Sequence, residues 1–165
     1  MEKILISACL MGMPVRYDGN HRLLEDAILT RWREEGRLVP FCPETAGGLP
    51  VPRAPAEIGG GAGGSDVIAH NATVIDIHGR DYTSEFLKGA SLTLTLAKQL
   101  KIRLAVLKEN SPSCGVGHIY DGTFSGQRLN KQGVAAALLK RHGIQEFSET
   151  QLSEAEAFIR KHSIG

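Results

Sequence analysis

Short continuous apolar runs alternate along this chain with longer segments in which apolar residues recur every three or four positions. Residues 3–8 (KILISA) read as a buried strand bounded by the turn residues Gly12 and Pro14. Over 22–35, Leu23, Leu24, Ala27, Ile28 and Trp32 fall at helical spacing, and Gly36 stands where a helix C-terminal glycine belongs. Residues 37–41 (RLVPF) form a second strand. Pro40 restricts it to pairing on one side there, or stops it short, because proline has no N–H to give a neighbour. A third strand, 73–77 (TVIDI), ends at Gly79. Thr83 or Ser84 then caps a helix that runs to Leu100, with Phe86, Leu87, Ala90, Leu94 and Ala97 on one face. Residues 103–107 (RLAVL) have the unbroken apolar character of a central parallel strand. A helix over 132–142 ends at Gly143, residues 144–147 make an edge strand, and Ser153 with Glu156 forms a capping box for a last helix.

About five strands alternating with four helices predict an α/β fold, a three-layer, doubly wound, mostly parallel sheet of Rossmann-like kind. The stretch 47–64 is rich in glycine and proline and poor in apolar side chains, so it reads as an irregular loop or lid with a flexible GGGAGG centre. No segment repeats. A chain of 165 residues, 42% of them apolar, can bury one proper core, which predicts a single domain over 1–165. The formal charge is +1 and the basic residues are scattered, so no stripe invites nucleic acid or an anionic membrane, and a small molecule is the expected partner. The opening MEKILISACL carries one lysine and an apolar run too short for a signal peptide or a spanning helix, which predicts a cytoplasmic protein.

Against that background the chain's three cysteines stand out. Cys9, Cys42 and Cys114 each follow a strand candidate, so parallel neighbouring strands would deliver all three thiols to the carboxyl edge where such sheets bind ligands. An odd trio in a reducing compartment suits metal binding or thiol chemistry better than disulfides. Separations of 33 and 72 residues exclude the compact CxxC motifs, so only the fold could assemble such a site.

The local sequences are more specific. Ser7-Ala8-Cys9-Leu10 with Arg16-Tyr17-Asp18-Gly19, Cys42-Pro43-Glu44 with Gly47-Gly48-Leu49 and Pro52-Arg53, the FLKGA of 86–90, the KENSPSCG of 108–115, and Tyr120-Asp121-Gly122-Thr123-Phe124 occur in this order. Together they resemble the thiouracil desulfidases, a TudS-like bacterial family once known as a domain of unknown function, over nearly the whole chain. The resemblance implies a 4Fe-4S cluster held by Cys9, Cys42 and Cys114, with one iron left open to bind sulfur as a Lewis acid. It implies hydrolytic, non-redox removal of sulfur from a thiocarbonyl heterocycle such as 2-thiouracil, with release of hydrogen sulfide. The family's catalytic glutamate and helper serine match Glu44 and Ser111. Glu44 also stands two residues past Cys42, a spacing that brings a carboxylate to the same crevice for proton transfer.

Ser7, Arg16, Tyr17, Asp18, Arg53 and Ser113 are candidates for the substrate pocket, with a structural turn and internal ion pair as the plainer reading of 16–18. Ser111 to Gly117 could form an anion-binding nest. The histidines, His21, His70, His78, His118, His142 and His162, show no metal-binding spacing and are assigned to surface or packing roles. Two other functions remain open: a zinc-binding hydrolase, and a non-catalytic module whose glycine-rich lid closes over a nucleobase-like ligand.

Overall fold

The computed structural model describes residues 1–20 and 23–162. The elements in chain order are β1 (Ile4–Ser7), a single 3-10 turn (Ala8–Met11), α1 (Ala27–Glu34), β2 (Leu38–Phe41), α2 (Pro43–Ala46), β3 (Ala56–Ile58), α3 (Gly64–Ile68), β4 (Val74–Asp76) and α4 (Thr83–Gln99). They continue with β5 (Leu104–Leu107), β6 (Ile119–Tyr120), β7 (Arg128–Leu129), α5 (Val134–Arg141), β8 (Gln145–Ser148) and α6 (Leu152–His162).

β1 and β5 are buried at every position, as the two inner strands of a sheet covered on both faces must be. The sheet is parallel, in the order β2-β1-β5-β8, with Ile4 opposite Leu38 on one side and Leu104 on the other. Pro40 lies in edge strand β2, where its missing N–H costs no ladder bond on the open side. Alternation of side chains divides the core in two. Ile4, Ile6, Leu104 and Val106 face α1 and α6 with Leu29, Trp32, Leu152 and Ile159, whereas Leu5, Ala105 and Leu107 face α4 and α5 with Ala97, Ala136 and Leu139. Each fully buried Leu or Ile contributes roughly 1.5–3 kcal/mol, so both layers hold firmly to the sheet. This is the predicted three-layer α/β architecture.

Several expectations are corrected. The parallel sheet has four strands, because the 73–77 run supplies β4, which pairs antiparallel with β3 in a separate two-stranded sheet. The partner strand β3 comes from inside 47–64, so that stretch is not one irregular lid. Its glycine centre is tied down as well: Gly59 donates to Thr73 O, Gly61 to Asp121 O and Gly64 to Gln132 O. Helix α1 starts five residues later than the periodicity suggested, because the Asp26 carboxylate accepts the Ile28 N–H and fixes the N-terminus. Neither Thr83 nor Ser84 caps α4. Tyr82 occupies the cap position, Asp81 accepts the Thr83 N–H, and the Thr83 hydroxyl accepts the Val74 N–H. Ser153 lies inside α6, and Glu156 pairs with Arg31 and Arg160 instead of closing a capping box.

Candidate active site

The chain runs from β1 to β2 on one side and returns to β5 on the other. The cleft outside the carboxyl ends of β1 and β5 is therefore the point where the winding reverses, the usual ligand site of an open α/β sheet. β2, β1 and β5 are immediate neighbours, each about 4.8 Å from the next. Cys9, Cys42 and Cys114 stand on the loops that leave these three strands, and all three line one cavity of about 510 Å³.

Each thiol has its own seat. Cys9 lies in the 3-10 turn continuing β1, with Ala8 and Leu10 buried on either side, and Gly12 closes the turn at φ +86°, where a side chain would be strained. Cys42 is the N-cap of α2, and Pro43 supplies the helical φ of the first position. This turn presses directly on α4. A methyl at Gly89 would lie 1.9 Å from Pro43 O, and one at Gly47 would lie 2.0 Å from Glu85 O. The Cys114 loop presses on the start of α5, where a methyl at Gly133 would lie 2.5 Å from the Ser113 carbonyl carbon. Val134 and Ala136 donate to Pro112 O and Ser113 O there.

Glu44, in the first turn of α2, connects two of these seats. Its Oε1 accepts from Arg53 Nη2 at 2.9 Å and Nε at 3.3 Å. Its Oε2 accepts from the Ser113 hydroxyl at 3.2 Å and the Ser111 hydroxyl at 3.4 Å. Arg53, only 5% exposed, is held further by the carbonyls of Pro50 and Val15. Ser111 Oγ in turn accepts the N–H groups of Ser113 and Cys114 at 3.1 Å each. One network thus runs from an arginine through a carboxylate to a serine whose oxygen fixes the backbone of Cys114.

Burial governs the thiols. It pushes Cys9 up to about 11, and neighbouring Cys42 adds to the rise, against Arg16 and Lys108. Cys114 is likewise raised, by burial first and then by Cys42, Glu44 and Cys9, while the Ser7 hydroxyl opposes. The three groups sense one another's charge, as thiols on a shared wall must. Left alone, Cys9 and Cys114 hold their protons at neutral pH, so a bound cation has to displace them.

The cavity wall includes Cys9, Cys42, Cys114, Glu44, Ser111, Ser7, Arg16, Tyr17 and Arg53. Two candidates fall outside it. Asp18 faces its own turn, accepting from Asn20 N at 2.9 Å and pairing with Arg16 at 3.5 Å, so the plainer reading holds for that residue. Ser113 is buried behind the wall and acts on Glu44. The nest is filled from within: Glu109 Oε1 accepts the N–H groups of Val116, Gly117 and His118. None of the described histidines lines the cavity, and His21 lies outside the described residues.

Sequence reasoning passed over several wall residues. Lys108 bonds to Ser7 through its backbone N–H and to Glu149 at 2.8 Å through its ammonium, and Asn110, Glu57, Ile77, Tyr120 and Phe124 also line the cavity. Lys108 and Asn110 share the 108–115 motif with Ser111, and Tyr120 and Phe124 sit in the 120–124 motif, so their place was legible although their roles were not.

Residues 4–151 match the family described as 2-thiouracil desulfurase. The chain belongs to the 2-thiouracil desulfurase family. Among relatives, it is 44% identical over 151 residues to the uncharacterised protein YbbK of Bacillus subtilis (strain 168), covering 92% of this chain and 98% of that one. Its fold matches the solved structure of the 4Fe-4S-dependent thiouracil desulfidase TudS with a TM-score of 0.89 at 47% identity, over 98% of this chain and 99% of the other.

The donor set of this family member fits an iron–sulfur group. The wall offers three soft thiols, the whole complement of cysteine in the chain, so a four-iron cluster would have one iron without a cysteine ligand. Among the described residues no three His, Cys, Asp or Glu side chains close around a point as ligands of a single ion. Tetrahedral zinc requires thiolates about 3.8 Å apart.

Proposed function

We propose that this protein is a 4Fe-4S-dependent thiouracil desulfidase that hydrolyses the thiocarbonyl of a free thiouracil-like heterocycle in the cytoplasm and releases hydrogen sulfide. The observation that carries the reading is the meeting of Cys9, Cys42, Cys114, Glu44 and Ser111 in one cavity at the switch point of the sheet. Family membership and the likeness to TudS support it, and no helix among the described residues is long and apolar enough to cross a membrane. Cys9, Cys42 and Cys114 would hold the cluster, which when bound supplies one sulfur-seeking iron as a Lewis acid.

The protein's part is binding and proton transfer. The overall change exchanges C=S for C=O at the expense of one water, with no electrons gained or lost. Glu44 Oε2 takes a proton from the attacking water and returns one to the departing sulfur, so a single carboxylate serves as base and then as acid. Arg53 holds the other oxygen of Glu44, which keeps Oε2 directed at the serines. The Ser111 hydroxyl, 3.4 Å from Oε2, orients the reacting carbon's substituents and stabilises the charge that grows there.

The test is sulfide release from 2-thiouracil by anaerobically loaded protein. Brown protein with about four irons per chain should turn over. Glu44→Gln should keep the iron and lose about 100-fold or more in kcat, while Cys9→Ala, Cys42→Ala and Cys114→Ala should each lose the iron. Undiminished turnover by Glu44→Gln, or a colourless protein with one zinc, would overturn the reading.

A further inference from the structure

Four non-glycine residues among those described hold a left-handed backbone: His70, Lys101, Asn110 and Phe124. The first two follow α3 and α4 directly, the common position for such a residue at a helix end. Asn110 and Phe124 end no helix, and both line the cavity. Asparagine accepts this conformation readily, but for phenylalanine it is a genuine outlier that the surroundings must impose. Here Glu57 imposes it, its Oε1 accepting the N–H groups of both Gly122 and Phe124. Asn110 is fixed by its own N–H, which donates to His118 O at 3.1 Å, and by a bridge to Ile119.

Asn110 has a second peculiarity. Its Oδ1 is shut off from solvent and accepts no hydrogen bond, an arrangement that costs free energy unless something repays it. Several other polar groups of the wall are engaged: Glu44 with Arg53 and the serines, Lys108 with Glu149, Arg16 with Asp18, and Glu57 with the 122–124 turn. The carboxamide of Asn110 carries one acceptor and two donors, and its χ2 is broad and two-fold, so a half-turn exchanges its ends and brings Oδ1 to the cavity side.

We propose that Asn110 is the specificity-determining residue of the cavity, its carboxamide turning about χ2 so that Oδ1 accepts the ring N–H of a planar heterocycle, while Phe124 supplies the flat apolar wall. The inference rests on the desulfidase reading for the ring itself and deepens it. In a thiouracil the N–H between the thiocarbonyl and the remaining carbonyl is left free once the sulfur is directed at the thiols, and that N–H matches the acceptor Oδ1 of the turned carboxamide. Phe124 offers its ring to the face at little entropic cost, because backbone strain and Glu57 have already fixed its position.

The experiment compares uracil, the oxygen-containing product, with 3-methyluracil, which lacks that N–H, binding to loaded protein by anaerobic calorimetry. Wild type should prefer uracil by roughly 10-fold or more. Asn110→Gly suits the left-handed backbone, so its thermal midpoint should not fall, yet it should bind both ligands with equal, weakened affinity and turn over 2-thiouracil with a raised KM. A wild type with no preference, including one that binds neither ligand, or an Asn110→Gly that keeps the preference, would overturn the assignment. Sulfide release without the preference would remove Asn110 and leave desulfuration standing; the preference without sulfide release would do the reverse.

Discussion

The floor of the cavity and its rim are built by opposite means. On the floor, Cys42, Glu44, Ser111 and Cys114 are set by backbone pressed on backbone at Gly47, Gly89 and Gly133, with almost every polar group already paired inside the protein. At the rim, Ile77 is 52% exposed and Tyr17 38%, and these side chains have solvent beside them. A close backbone contact has no rotamers to explore, so the floor can hold reacting groups to the fraction of an ångström that catalysis needs. A side chain in solvent can be exchanged without moving anything else. The floor is therefore set by glycine contacts behind it, whereas rim side chains such as Ile77 and Tyr17 can be exchanged without disturbing it.

The sharpest way to break this contrast is Gly89→Ala. The added methyl meets Pro43 O at 1.9 Å, so α2 must shift away from α4 and take Cys42 and Glu44 with it. A loss of at least about 2–3 kcal/mol is expected, with loss of iron binding, read by chemical denaturation and iron content. An intact cluster and unchanged stability in this variant would mean that the floor is not set by the glycine contact.

A smaller effect concerns the brace behind the floor. Gln132 Nε2 donates to Val116 O and to Glu146 Oε1, which ties the Cys114 loop to β8, while Glu146 Oε2 is buried without a partner. Burial pushes Glu146 up from 4.5 to about 8, opposed by the Gln132 hydrogen bond and by Lys140. The folded chain thus keeps a proton that the unfolded chain gives up. This contribution to stability is complete below about pH 4.5 and is lost as the pH rises through about 8. Glu146→Gln removes that proton dependence, so its thermal midpoint should exceed that of wild type most at pH 8–9 and least at pH 5. A constant difference across that range would rule out the assignment.

The smallest effect belongs to the rim. Ile77→Ser should leave stability within about 0.5 kcal/mol of wild type and leave kcat unaltered, with at most a several-fold change in KM. A large fall in kcat would show that rim and floor are coupled after all.

The strands and helices of the main sheet were legible because period and burial agree in them: β1 and β5 are unbroken apolar runs, and α4 and α5 carry clear buried faces. What a pattern cannot give is a partner. The 73–77 run says that a strand forms, but only the three-dimensional contact reveals that β3, hidden among glycines and prolines, pairs with it. The start of α1 was missed because Leu23 and Leu24 continue the helical spacing, and the cap at Asp26 outweighs them. In the site, the meeting of the cysteines, Glu44 and Ser111 on one wall was legible from local motifs, whereas the positions of Ser113 and Asp18 off that wall were not. Side-chain direction on a tight loop depends on φ and ψ at single residues, and short motifs do not encode those.

The strand order β2-β1-β5 also constrains how the protein comes into being. The three thiols become neighbours only when β5 has slotted in beside β1, so the complete three-cysteine wall first exists once residue 114 has been made and the sheet has closed. Any group that needs all three thiols at once can therefore enter only a chain in which β2, β1 and β5 are already paired.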